Sequence, residues 1–134
     1  MTKKDILNVI LLLTITFTLT AQKANMDTLY FKFNKKYIKR GEVNKNQYYL
    51  KDKSNEGDLF FIKRSILDNL KPKEVLCFKK FIRSSKYYNF SKKKNQRLDG
   101  YRLWEYLDKY IIFFILNIDG RHVYEEVKIN YVIE

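Results

Sequence analysis

The chain has 134 residues, 27 basic and 15 acidic, for a formal net charge of +12, with 46% hydrophobic and 16% aromatic residues. That length suits one domain with a core of its own and leaves no room for a second. A single cysteine, a single histidine and four glycines scattered at 41, 57, 100 and 120 argue against a disulfide scaffold, a Cys/His metal centre and a glycine-rich phosphate loop.

The N-terminus sets the expected compartment. Lys3 and Lys4 precede an apolar stretch from Ile6 to Ala21 that ends in small or weakly polar residues, the layout of a secretory signal peptide. At 16 residues, with Asn8 and four threonines inside it, the stretch falls short of the roughly 20 apolar residues of a bilayer span. Cleavage is expected between Ala21 and Gln22, with Ala24 as the second site. The division is therefore residues 1–21 as signal peptide and 22–134 as a single α+β domain, periplasmic or extracellular. An uncleaved N-terminus anchored in the membrane is the alternative. Cleavage removes two lysines and one aspartate, so the charge of +12 becomes +11.

Period-2 alternation over residues 27–33 places Leu29, Phe31 and Phe33 on one face of a half-buried strand. Residues 37–40, 47–51 and 58–63 follow as short strands, the last two joined by a loop at 52–57, and the first half reads as a β-meander. Pro72 suits the first turn of a helix over 72–85. Val75, Cys77, Phe78, Phe81 and Ile82 then share a broad apolar face, which makes Cys77 a buried small hydrophobe. Asp99 caps a second helix whose Leu103, Trp104, Tyr106, Leu107 and Tyr110 lie on one side. Residues 110–118, a near-continuous apolar run, read as a central strand covered on both faces. Asp119-Gly120 predicts a type I′ turn into a returning strand, with Val127, Ile129, Tyr131 and Ile133 on one face. Glu125-Glu126 interrupts that alternation and suggests a bulge. The expected fold is a small α+β domain: a mainly antiparallel sheet, made of the N-terminal meander and the C-terminal hairpin, with two helices packed against it.

No catalytic residue, metal centre or cofactor is expected. His122 falls just past the hairpin turn as a surface strand residue, and Cys77 lacks the exposed, electropositive setting of a nucleophile. Glu125 and Glu126, as neighbours on a strand, point to opposite faces. A pocket gathering His122 with Glu125 or Glu126 and a basic group would instead favour an enzyme. Adjacent aromatic pairs such as Tyr48-Tyr49, Phe60-Phe61 and Phe113-Phe114 place some rings near the surface, as strand formers or as a stacking surface.

The helix connector combines charge with rings. Lys86, Tyr87, Tyr88, Lys92, Lys93, Lys94 and Arg97 form a candidate anion-binding strip, although a solvated charged connector has the same composition. Because the chain is expected to leave the cytoplasm, nucleic acid is not the expected partner; anionic polysaccharide, lipid headgroups or a protein partner are. Of the 27 basic residues only six are arginine, the better match to phosphate, so part of the lysine excess fits coding bias.

The segments "LTAQ", "DTLYFKF" and "KYYNF…LDGYRLWEYLDKY" resemble, in texture, uncharacterised small exported proteins of flavobacterial type. The resemblance implies export and no activity. The expected function is a secreted or periplasmic, non-catalytic basic interaction module. A small exported enzyme with a cryptic site and an exported inhibitor or immunity-type protein stay open.

Overall fold

The structure is a computed structural model that describes Lys3 and residues 27–52, 59–93 and 97–132. The rest of the expected signal segment, residues 53–57 of the expected loop, Asp58 of the expected strand that follows, Lys94 and Ile133 lie outside the described residues.

The described chain runs β1 (Thr28–Lys32), β2 (Ile38–Arg40), β3 (Gln47–Leu50), β4 (Leu59–Leu67), β5 (Leu76–Cys77), α1 (Phe78–Ser84), α2 (Gly100–Leu107), β6 (Ile111–Ile118) and β7 (Arg121–Tyr131). All seven strands join one curled sheet in the order β2-β3-β4-β7-β6-β1-β5. The α+β class stands, with two helices against a sheet, but the sheet is mixed: β1 pairs in parallel with both β6 and β5.

The N-terminal meander is corrected accordingly. β2, β3 and β4 form an antiparallel meander, while β1 leaves its sequence neighbour and inserts between β6 and β5. Its side chains explain the move. Leu29 and Phe31 join the main core on one face, and Tyr30 stacks on Phe113 on the other. A strand apolar on both faces belongs in the sheet interior, where both faces can be covered.

β6 behaves as its composition predicts. Ile112 and Phe114 face the helices, whereas Phe113 and Ile115 join Tyr124 in a second cluster on the outer face, closed by Leu70. The turn that follows has positive φ at Asp119 (52°) and Gly120 (78°), the pair of left-handed residues that a type I′ hairpin requires.

The helix expected over 72–85 begins only at Phe78. Leu76 and Cys77 pair instead with Phe31 and Lys32, so the edge of β1 recruits them as β5. Edge pairing outweighs the helical period of the preceding residues. Val75 is thus 48% exposed, and Cys77 is exposed rather than buried. Phe78 and Ile82 remain buried, as expected. In α2 the Asp99 carboxylate accepts the backbone N–H of Arg102 at 3.2 Å, and Leu103 and Leu107 are fully buried.

Phe78 sits at the centre of the core. Its ring meets Phe31, Tyr37, Phe61 and Phe114 at centroid distances of 4.9, 5.9, 5.5 and 5.7 Å. Phe60 and Phe113 are buried along with their neighbours Phe61 and Phe114, so these two pairs do not supply the surface rings expected of them. Tyr49 covers Phe60 by stacking at 5.9 Å.

Candidate functional site

The inner face of the sheet is not apolar throughout. At the end nearest β2 it carries charged side chains. Strand parity explains which: Ile38 and Arg40 of β2 pair with Leu50 and Tyr48 of β3, so Arg40 turns inward beside Tyr48. Its guanidinium donates to the Tyr48 hydroxyl at 3.1 Å and lies 5.6 Å from the ring centroid.

Tyr48 itself is fully buried, packed on Phe33 and Phe114. Its hydroxyl donates to Oε2 of Glu125 on β7, two strands away, a reach that the curl of the sheet makes possible. Glu125 is 2% exposed, and its other oxygen lies 3.3 Å from Lys63 Nζ and 4.0 Å from Arg40. A buried carboxylate is tolerated where cations and hydrogen bonds satisfy it, and here two cations and a phenol do so. Burial, then the bond to Glu125, push Tyr48 up to about 12. Tyr48 therefore keeps its proton at neutral pH and acts as a donor.

The bulge expected at Glu125-Glu126 lies on the opposite strand. Lys63 pairs with Val127 and Ser65 with Glu126, leaving Arg64 as the extra residue of β4. Lys63 thereby stays on the inner face with Glu125, and Ser65 turns outward, where its hydroxyl donates to Glu126 at 2.9 Å.

Beside this network the curled sheet opens into a cleft of about 610 Å³. Phe33, Ile38, Leu116 and Ile118 supply its apolar surface, and Lys35, Lys39, Arg40 and Lys51 its basic rim. Lys51 Nζ donates to the backbone carbonyl of Lys35 at 2.6 Å, on the exposed rim. The rim residues come from β2 and from the segments on either side of the β2-β3 pair, whereas Leu116, Asn117 and Ile118 come from the far end of β6.

The strip foreseen from the sequence is a different surface. Residues 86–99 are closed by a bridge between Tyr88 and Leu98, with Asn89 N–H donating to Arg97 O at 2.8 Å and Asp99 N–H to Tyr87 O at 2.8 Å. Tyr88 is buried, with Arg83 5.7 Å over its ring and Phe90 against its edge. Tyr87 is half-buried on Tyr106, and Lys86 Nζ lies 5.5 Å over its ring. Arg97 Nε donates to Lys92 O at 3.1 Å, Lys92 and Lys93 are exposed, and Lys94 lies outside the described residues.

His122 is exposed and lines an outer-face cleft with Lys32, Ile115 and Tyr124, so the sheet separates it from Glu125. His122 does not gather with Glu125, and Glu126, which shares the outer face with His122, accepts from Ser65 and does not line that cleft. Among the described residues no three His, Cys, Asp or Glu side chains converge as a metal site, and no helix is long and apolar enough to cross a membrane. Comparison with protein-family models, curated proteins and solved structures finds no match.

Proposed function

We propose that the protein is an exported, non-catalytic binding module that receives a negatively charged ligand at the mouth of its curled sheet. One observation carries this reading: four basic residues, Lys35, Lys39, Arg40 and Lys51, line a single cleft. Clefts lined by one sign of charge concentrate counter-ions and strengthen each contact. The acid beside them, Glu125, is shared among Tyr48, Lys63 and Arg40, so the three lysines still leave the rim a surplus of positive charge.

The decisive comparison sets two triple variants side by side. Lys39→Gln/Arg40→Gln/Lys51→Gln is expected to cut retention on heparin and on anionic vesicles about tenfold or more at physiological salt, as loss of charge-assisted hydrogen bonds does. Lys86→Gln/Lys92→Gln/Lys93→Gln, on the connector strip, is expected to produce only the small loss that any reduction in net charge brings. Equal losses would reduce the binding to diffuse charge. A selective loss from the second variant would move the site to the strip.

Export predicts a mature N-terminus at Gln22, readable by intact mass after expression in a secreting host. A product that keeps Met1 and fractionates with membranes would establish the anchored form.

A further inference from the structure

The mouth is two-sided in its chemistry. Cations occupy its rim, while Phe33, Leu116 and Ile118 present hydrocarbon below them. Ile118 is 48% exposed, a large apolar side chain left open in a cleft lined by four basic residues. Phosphate or a sulfated sugar chain would meet the cations and leave the hydrocarbon wet. A neutral lipid would cover the hydrocarbon and strip water from the cations without replacing it, which is costly. A ligand with one anionic head and one alkyl chain meets both halves.

We propose that the mouth binds a single-chain acyl carboxylate, its head on Arg40 and Lys51 and its chain along Phe33, Leu116 and Ile118. This rests on the mouth being the anion site. Two features suit such a head. Arg40 is held by the Tyr48 hydroxyl at 3.1 Å and Lys51 by the Lys35 carbonyl at 2.6 Å, so two donors are already placed before a ligand arrives. Preorganised donors lose less freedom on binding. The cleft, about 610 Å³, also falls in the range of clefts that enclose small organic ligands.

The test is calorimetry on the purified chain with octanoate, decanoate and dodecanoate below their micelle concentrations, alongside dodecanol, inorganic phosphate and a heparin oligosaccharide. Each added methylene is expected to tighten binding roughly three- to fourfold, the worth of a buried CH₂. Dodecanol is expected to bind at least about tenfold more weakly than dodecanoate, for want of a charged head. Ile118→Asp and Arg40→Gln, each with an unchanged unfolding midpoint, should both weaken dodecanoate.

Heparin or phosphate binding that Arg40→Gln abolishes, with no dependence on acyl length, would overturn the acyl assignment and leave the anion site standing. Absence of binding by every anion would remove both. Length-dependent binding that neither variant changes would place the chain elsewhere and overturn the proposal equally.

Discussion

Phe78→Ala is expected to lower the free energy of unfolding by about 3–5 kcal/mol, the usual loss for a large aromatic ring removed from a packed core. The ring is 1% exposed and touches four other aromatic rings drawn from β1, β4, β6 and the turn before β2. It also starts α1, a helix of seven residues whose N-cap, Cys77, makes no side-chain cap bond. So short a helix persists through docking rather than through its own propensity. Phe78 and Ile82 are the buried residues that dock it. Urea denaturation of the variant measures the loss. A change below about 1 kcal/mol, the level of an ordinary substitution, would show that the core does not centre on this ring.

Glu125→Leu is expected to cost about 1–3 kcal/mol, because it leaves the buried Tyr48 hydroxyl without its acceptor. The cations fare better: the Arg40 and Lys63 side chains are 48% and 24% exposed and already reach water in part. Tyr48→Phe combined with Glu125→Leu should recover most of the loss, since a matched apolar pair often replaces a buried polar one at little cost. A double variant as unstable as the sum of the singles would mean that the two groups do not act together. The pair also sets an alkaline limit. Tyr48 is raised from 10.0 to about 12 in the folded chain. Its contribution is therefore complete below pH 10 and is lost as pH rises toward 12, because the unfolded chain gives up the proton first. Alkaline melts of Tyr48→Phe should show a shallower decline over that window than the parent.

Much of the local structure was legible in the sequence. Asp119-Gly120 specifies its turn, Asp99 caps its helix, and the unbroken apolar run of β6 announces a strand covered twice. These features depend on residues a few positions apart. The parallel partner of β1 was not legible, because no local pattern says which distant strand a two-faced strand will join. The stretch before Phe78 has a helical period, yet the free edge of β1 claims Leu76 and Cys77. Likewise the candidate mouth draws Lys35, Lys39, Arg40 and Lys51 from one short region but its hydrocarbon partly from residues 116–118. Only the curl of the sheet joins them. The inward turn of Arg40 was within reach: in residues 38–40, Ile38 and Arg40 share a strand face, and a buried Ile38 puts Arg40 inside.

The placement of β1 has a consequence for how the chain acquires its structure. Thr28–Lys32 pair with Ile111–Ile115, so the first described strand meets its main partner more than 80 positions later. Contacts so far apart in sequence pay a large loop-closure entropy before they return any stability, and they slow the search for the native topology. While the polypeptide emerges from the ribosome, β2, β3 and β4 can pair as a local meander, but β1 must wait until β6 has been made. Its Tyr30 and Phe31 stay unsheltered through that interval. Closure of the sheet is then a late event of the whole chain, and C-terminal truncations ending before residue 111 should leave β1 unpaired with β6 however well the meander forms.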